Sequence, residues 1–341
     1  MAANPPGRHD LPADQAPPDS PTDIPKPGWV GVLRRSVQQF KHDDVTDRAA
    51  ALTYFGVLAI FPAVLVLVAI LGLLGPSAVQ SVLNNLQQLT PGGVNTFLRS
   101  VVKQVQGRGS AASAGAIVGV LIALWSASGY IAAFMRAGNA IYGVDEGRPI
   151  WRTIPVRLGV TIAVVIMLVA SAVIVVVTGP IAAQVGGAIG IGNTAVTVWN
   201  IAKWPVLLIV VSLMFSLLYW ACPNVKQPGF KWITPGGLLA VVVWLIASGL
   251  FAAYVSFSGS YNKTYGTLAT VIVFLVWLWI SNIAILLGLE FNAESERQRM
   301  IQAGLPEDVE PYVELRDTAK LDDAEKRRAD EAARLRRRAI S

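Results

Sequence analysis

The chain has 341 residues, of which 53% are hydrophobic and 15% are charged, and its formal net charge is +6. An average soluble domain has roughly 45–50% apolar and about 25% charged residues, so this composition argues against a water-soluble domain and favours a protein embedded in lipid. The single cysteine, Cys222, excludes a disulfide framework and any cysteine-based zinc site.

The N-terminal part of the chain is predicted to be a tail followed by a short helix. Residues 1–28 are polar and proline-rich and lack the apolar core of a signal peptide, so we expect a disordered cytoplasmic tail. From Trp29 to Phe40 apolar residues recur at helical spacing among arginines and glutamines. This pattern predicts a short helix in the plane of the lipid headgroups, with a surface helix of a soluble cap as the alternative.

Six long stretches are apolar enough to cross a bilayer, which requires about 20 residues. The predicted spans are residues 49–74, 114–135, 156–178, 201–221, 236–258 and 267–289. The fold class is therefore an all-α integral membrane protein with six transmembrane helices.

The connection between the first two predicted spans has a different pattern. Two amphipathic stripes, within residues 79–89 and 94–105, flank the break Pro91-Gly92-Gly93. They predict an extracytoplasmic amphipathic helical hairpin between spans 1 and 2.

The orientation of the spans follows from the lysines and arginines beside them, which are enriched in cytoplasmic segments. With the N-terminus inside, the cytoplasmic side receives Arg34, Arg35, Lys41, Arg48, Arg136, Arg148, Arg152, Arg157, Lys226, Lys231, Arg297 and Arg299. The opposite side receives only Arg99, Lys103, Arg108, Lys203 and Lys263. Both termini are therefore expected in the cytoplasm, with the spans in a cytoplasmic membrane.

The domain organisation follows from these segments. We expect a tail over residues 1–28, a six-span membrane domain over 29–296, and a charged, basic cytoplasmic tail over 297–341. The last part of that tail is alanine-rich and mixes charge signs, which is typical of a solvated helix. Its basic residues are candidates for contact with anionic lipid.

Polar residues at the ends of spans and inside them are the candidate functional residues on the cytoplasmic side. They are Arg48, Arg136, Asn139, Asn282 and Glu290. Such groups need partners or water when they lie in hydrocarbon. They predict either a structural ion pair between Arg48 and Glu290 or a polar cavity that opens to the cytoplasm.

A second set of polar residues, Tyr261, Asn262 and Tyr265, precedes the sixth span at its outer end. These side chains are suited to bind a lipid headgroup, or alternatively to cap the sixth helix. Small residues in Ser126-Ala127-Ser128-Gly129 and Ala247-Ser248-Gly249 are expected to allow close helix packing.

Motifs of enzymes are absent from the sequence. The two histidines, His9 and His42, belong to no ligand-spaced set, and there is no Walker sequence or GxSxG. We therefore expect no catalytic residue, no metal and no cofactor.

Several stretches form a recognisable set of motifs, which are DRAAALTYF at 47–55 with Phe61-Pro62, LWSASG at 124–129, NAIYGV at 139–144, YWACPN at 219–224, SYNKTYGTLA at 260–269 and LGLEFNAE at 287–294. With these motifs in this order, the sequence resembles the YihY/BrkB family of bacterial inner-membrane proteins. The resemblance covers about residues 30–296. Ala140 stands where the family usually has arginine.

The resemblance implies six spans with cytoplasmic termini and a role in the envelope, with transport of a lipid or a solute among the proposals. Some members carry a ribonuclease BN label. Phosphodiester hydrolysis usually requires clustered carboxylates with metal ions or a histidine pair, which these motifs do not contain.

The leading hypothesis is a non-enzymatic membrane protein that transports or flips a lipid-like or other amphiphilic substrate. A scaffold for envelope partners is the alternative, and a ribonuclease is the third. The expected partners are membrane lipids, a homo-oligomer is compatible with the sequence, and no nucleic acid is expected because the basic residues flank the spans.

Overall fold

The structure, a computed structural model, describes residues 24–73, 111–176, 193–227, 229–257 and 267–340. Eight α-helices and no β-strands lie in these ranges. They are α1 Lys26–His42, α2 Val45–Leu73, α3 Ala111–Ile141, α4 Ile150–Val176, α5 Asn193–Ala221, α6 Phe230–Phe257, α7 Thr267–Gln302 and α8 Asp323–Ile340. The predicted all-α class is confirmed.

Four of these helices are long and apolar enough to cross a membrane, as far as the described residues were searched. The candidate spans are Ile150–Ser171, Ile201–Ala221, Pro235–Phe257 and Val271–Gln302. Large apolar side chains on them are exposed, among them Trp204, Leu250 and Phe257. An apolar helix surface open on this scale is what lipid contact requires.

The structure does not confirm all six predicted spans. Residues 49–74 and 114–135 coincide largely with α2 and α3, but these helices are not among the four candidates. The predicted hairpin of residues 79–105 and the N-terminal tail 1–23 lie outside the described residues.

The chain divides into two compact units. The first contains the described residues of 24–53, 132–156 and 215–340, and the second those of 54–131 and 157–214. Helices α2, α3, α4 and α5 each contribute a segment to both units.

In the first unit, α6 and α7 approach closely at two glycines. A Cβ atom on Gly288 would lie 2.5 Å from the carbonyl oxygen of Gly236 and 2.7 Å from the hydroxyl of Tyr219. The backbone N–H of Gly236 donates to Oδ1 of Asn292 at 3.0 Å, and the Tyr219 hydroxyl donates to the carbonyl of Ile285 at 2.6 Å. Only glycine leaves room for this backbone contact.

Helix α1 also packs on α7 in this unit. Trp29 stacks on Phe291 with 5.5 Å between ring centroids, and Val32 and Ser36 are buried. Three other apolar residues of α1, Val30, Leu33 and Val37, are exposed. The predicted helix over 29–40 is confirmed, and its location in the headgroup plane stays a prediction.

In the second unit, Arg157 of α4 reaches the small-residue motif of α3. Its Nε donates to the carbonyl oxygen of Ser128 at 2.9 Å and to the Ser128 hydroxyl at 2.7 Å, and its guanidinium lies 5.0 Å from the centroid of the Trp125 ring. A Cβ on Gly129 would meet the Phe55 ring at 3.3 Å, so Gly129 allows the predicted close packing. A Cβ on Gly249, by contrast, would meet nothing within 4 Å.

The segment after α7 is part of the first unit. Tyr312, Val313 and Leu321 are buried, and Ala332 and Arg336 of α8 are buried with them. The sequence predicted a solvated helix near the C-terminus, and α8 is that helix. One of its faces, however, packs against the protein.

Candidate functional site

Glu290, on α7 in the first unit, is completely buried, and neither of its carboxylate oxygens accepts a hydrogen bond from any described residue. The charged groups that act on it are Asp43, Glu294 and Arg297. A buried carboxylate without a hydrogen-bond partner is costly and uncommon in a stable core.

The ion pair expected between Arg48 and Glu290 is not formed. Nε of Arg48 instead donates to the carbonyl oxygen of Asp43 at 2.7 Å. The physical reason is local: Asp43 follows the last turn of α1, where carbonyl groups lack helical partners. The carbonyl of Asp43 therefore binds the guanidinium that was expected to reach Glu290.

Asn282 lies just over two helical turns before Glu290 on α7. Its Nδ2 donates to the hydroxyl oxygen of Thr53 at 3.0 Å, and the Thr53 hydroxyl donates to the carbonyl of Ala49 at 2.8 Å. Both side chains are buried. This polar contact joins α2 to α7 inside an apolar environment.

Asn139, at the end of α3, belongs to a second group of polar residues. Its Oδ1 accepts a hydrogen bond from the backbone N–H of Asn224 at 2.7 Å, and its Nδ2 donates to Glu146 at 3.0 Å. The helix ends here because Gly143 adopts a φ of +61°, which is the left-handed conformation common after a helix. Arg136, also on α3, is exposed and lies outside this buried group.

The remaining predicted site residues, Tyr261, Asn262 and Tyr265, lie outside the described residues.

The loop after α3 also belongs to this polar group, which the sequence analysis did not predict. Arg148, which is 4% exposed, donates to both carboxylate oxygens of Glu146 at 2.7 Å and to the carbonyl of Cys222 at 2.7 Å. Burial alone would raise the pKa of Glu146, but the hydrogen bonds and the charge of Arg148 outweigh it and lower that pKa below its ordinary value.

The segment after α7 completes the group. Nδ2 of Asn224 donates to the carbonyl oxygens of Asp145 at 3.1 Å and Asp317 at 2.9 Å. The carboxylate of Asp317 forms an ion pair with Arg152 at 2.6 Å. We call Asn139, Glu146, Arg148, Asn224 and Asp317 the loop network, because it joins the loops after α3 and α5 to residues beyond α7.

A chain of ion pairs lies next to Glu290 along α7. Glu294 pairs with Arg35 of α1 at 2.6 Å and with Arg297 at 3.2 Å, and Arg297 also pairs with Glu310 at 2.6 Å. The guanidinium of Arg297 lies 4.1 Å from the centroid of the Tyr312 ring. Glu294 is thus neutralised by two arginines, whereas Glu290, one helical turn earlier, makes no hydrogen bond or ion pair with a described residue.

Cys222, whose carbonyl accepts the hydrogen bond from Arg148, is fully buried, and burial raises the pKa of its thiol to about 12. Among the described residues, no group of three or more histidine, cysteine, aspartate or glutamate side chains is arranged to hold a metal ion.

Long apolar helices with exposed lipid-facing surfaces, and polar groups gathered at the ends of α2, α3, α5 and α7, define a membrane protein. The family model described as virulence factor BrkB matches residues 36–310, so the chain belongs to the BrkB family.

The curated relatives carry two kinds of name. The chain is 29% identical over 285 residues to the ribonuclease-like protein YfkH of Bacillus subtilis, a match that covers 83% of this chain and 100% of that relative. It is 28% identical to a UPF0761 membrane protein of Alkalilimnicola ehrlichii, covering 75% of this chain and 56% of the relative.

A UPF0761 membrane protein of Pseudomonas paraeruginosa is also 28% identical, and that match covers 79% of this chain and 64% of the relative. The chain thus spans less than two thirds of the length of these UPF0761 proteins. No solved structure matches it.

Proposed function

We propose that the protein transports or flips a lipid-like or other amphiphilic molecule across a bacterial inner membrane and catalyses no reaction. In this proposal six helices cross the membrane and both termini are cytoplasmic. The four candidate spans and the family of membrane proteins support the multi-pass arrangement, and the bias of lysine and arginine supports the orientation.

The observation that carries the proposal is the carboxylate of Glu290. An ionisable group inside a membrane helix is expensive, and where one occurs it commonly marks a substrate or ion pathway. Glu290 has no partner among the described residues, although the neighbouring Glu294 has two. A group left unsatisfied in the resting protein is available to a proton or to the polar headgroup of a substrate.

An amphiphile fits the surroundings of this carboxylate. In the same unit, α6 and α7 expose apolar side chains on the scale expected for contact with acyl chains, while Asn282, Thr53 and Glu290 are buried polar residues. A substrate with an apolar tail and a polar head can use both environments at once.

The test is a flipping assay in proteoliposomes made from the purified full chain. Phospholipids with a fluorescent headgroup are mixed into the vesicles, and dithionite, which quenches only the outer leaflet, reports how fast the inner pool becomes accessible. We expect the wild-type protein to speed up exchange over protein-free vesicles, and Glu290→Gln to slow it by about tenfold or more.

Glu307→Gln is the matched control because it removes one carboxylate from an exposed position. It should flip lipid at the wild-type rate. The proposal fails if the wild-type protein moves no phospholipid under conditions in which a known scramblase is active. The proposed role of Glu290 is refuted if the Glu290→Gln protein is folded and inserted and flips lipid as fast as the Glu307→Gln protein.

A further inference from the structure

A cavity of about 400 Å³ lies in the first unit, and the described residues that line it include neither Glu290 nor a member of the loop network. Its walls come from the loop between α5 and α6, the end of α7, the segment 312–314 and helix α8. Its volume is within the range of small-molecule sites, which is roughly 300–1,000 Å³.

The charges around this cavity do not balance. Four cationic side chains line it, whereas the lining carboxylates are those of Glu296 and Glu314. Both carboxylates are already engaged: Glu296 accepts two hydrogen bonds from Arg299, at 2.8 and 3.0 Å, and Glu314 pairs with Lys226 at 2.5 Å. The two cations left over are Arg336 and Arg337 of α8.

Arg336 is the more informative of the two because it is only 8% exposed. Its Nη1 donates to the carbonyl oxygens of Pro311 and Val313, and no carboxylate of a described residue pairs with it. Burial lowers the pKa of Arg336 and the charge of Arg337 adds to this effect, whereas the charges of Glu314 and Glu296 oppose it. A buried guanidinium that has a second arginine beside it and whose neighbouring carboxylates are paired with other cations is a site that an anion would stabilise.

An unused hydroxyl lines the same cavity. The hydroxyl oxygen of Tyr312 is buried and makes no hydrogen bond with any described residue. A phenol can donate one hydrogen bond and accept another, so this group can bind an oxygen of a ligand.

We propose that this cavity is a binding site for a phosphate-bearing ligand, held by Arg336 and Arg337 with Tyr312 as an additional donor. Guanidinium groups match the oxygens of phosphate with paired hydrogen bonds, and two of them suit a group that carries more than one negative charge. The volume exceeds what inorganic phosphate fills, so the phosphate is carried on a larger group. That group is a soluble nucleotide or the headgroup of an anionic phospholipid. The site does not depend on the transport proposed above.

The experiment measures binding to the purified full chain in a non-ionic detergent by isothermal titration calorimetry. One arm uses ATP, and the other uses a short-chain phosphatidylglycerol below its micellar concentration. Binding of ATP alone identifies a soluble ligand, and binding of phosphatidylglycerol alone identifies a lipid headgroup. Absence of binding in both arms overturns the proposal.

Two substitutions on α8 distinguish a specific binding site from nonspecific electrostatic attraction of the ligand to a basic helix. Arg337→Gln should weaken binding by about tenfold, the effect expected from losing one charge-assisted hydrogen bond. Arg334→Gln removes the same charge from an exposed position of the same helix outside the cavity and should change affinity by less than about twofold. Equal losses in the two variants would overturn the proposal.

Arg336→Lys tests the buried position and keeps the positive charge. It should bind more weakly than the wild-type protein because an ammonium lacks the planar pair of donors. Its melting temperature without ligand shows whether the fold is preserved, and a folded Arg336→Lys variant with wild-type affinity would count against the site.

Discussion

The backbone N–H of Asn224 donates a hydrogen bond of 2.7 Å to the side-chain oxygen of Asn139, although the two residues are 85 positions apart. Each lies in one of the motifs that resemble the YihY/BrkB family. The side chain of Asn224 also donates hydrogen bonds to the backbone carbonyls of Asp145 and Asp317. Asn224 therefore connects the end of α3 to the loop that follows α3 and to the segment after α7.

Removing the Asn139 amide should therefore destabilise the protein. We expect Asn139→Ala to lower the free energy of unfolding by about 1–3 kcal/mol because a buried N–H loses its acceptor. Asn139→Asp keeps an acceptor oxygen but places a second carboxylate beside Glu146, so it should also be destabilised. Thermal unfolding in detergent, monitored by tryptophan fluorescence, ranks the stabilities of these variants and of the wild-type protein. Ser256→Ala, at an exposed position, is the control, and an Asn139→Ala protein that melts with it would contradict the prediction.

The close approach of α6 and α7 makes a second prediction. Gly288→Ala should cost about 1–3 kcal/mol or more, because the new methyl group would lie 2.5 Å from the Gly236 carbonyl oxygen and 2.7 Å from the Ala240 side chain. Gly249→Ala introduces the same methyl group where nothing lies within 4 Å, and it should be tolerated. Thermal melting of the two variants side by side tests the contact, and equal melting temperatures would refute it.

The half-buried Asp43, between α1 and α2, should make stability depend on pH. Burial, with the charge of Glu294 adding to it, raises the pKa of Asp43 from 3.8 to about 6, against the opposing charges of His42, Arg48 and Arg297. The folded protein therefore binds this proton more tightly than the unfolded chain does. Its contribution to stability is greatest below pH 3.8, declines as the pH rises to about 6, and is lost above that.

The substitution Asp43→Asn removes this dependence. Relative to the wild-type protein, it should be more favourable at about pH 7.5 than at about pH 4.5, as judged by melting temperatures at the two pH values. Asp308→Asn, at an exposed position, controls for the loss of one negative charge. An Asp43→Asn effect that is the same at both pH values would count against the assignment.

The buried thiol of Cys222 should be inert in the folded protein. From the sequence alone, Cys222 follows a predicted span on the cytoplasmic side, so an impermeant maleimide would be expected to reach it in inverted vesicles and not in intact spheroplasts. Because the thiol is fully buried and its pKa is raised to about 12, we expect no reaction with an impermeant maleimide from either side of the membrane, and rapid reaction after denaturation. Labelling of the native protein in either spheroplasts or inverted vesicles would contradict this.

Topology is better tested with new cysteines in a Cys222→Ala background. Asp308→Cys, on an exposed residue after α7, should label only from the cytoplasmic side. Ser260→Cys, between α6 and α7 in the sequence, should label only from the outside. Labelling of the Asp308→Cys protein in intact spheroplasts would reverse the orientation proposed above.

The apolar pattern was sufficient to predict helices but not where they end. The predicted spans 201–221 and 236–258 end close to the observed C-terminal ends of α5 and α6, because the change from apolar to polar residues coincides with the helix terminus there. Their predicted starts are too late, since α5 begins at Asn193 and α6 at Phe230. Residues 267–289 were predicted as a span, whereas α7 continues to Gln302. The additional turns are polar and are held by packing on α1, through Arg35 and Trp29, which no local pattern reveals.

The polar contacts were predictable only in part. Asn139 and Glu290 were recognised because they interrupt or close apolar stretches, and the resemblance to the family marked the motif that contains Asn224. The partners of these residues could not be derived, because Arg48 had an acceptor closer in sequence than Glu290, and Asn224 meets Asp317 across 93 positions. Charge complementarity restricts the set of partners but does not select among them.

The loop network also has a consequence for biosynthesis. In the loop after α3, the carbonyl of Gly147 accepts a hydrogen bond from the N–H of Lys320. In the loop after α5, the side chain of Asn224 donates to the carbonyl of Asp317, the N–H of Lys226 donates to the carbonyl of Glu314, and the carbonyl of Val225 accepts from Arg316. These late residues leave the ribosome only after all the apolar helices have been made. Both loops therefore lack these partners until residues 314–320 have been made. A chain shortened after Arg299 would remain in that immature state, and the quality-control proteases of the membrane would be expected to remove it.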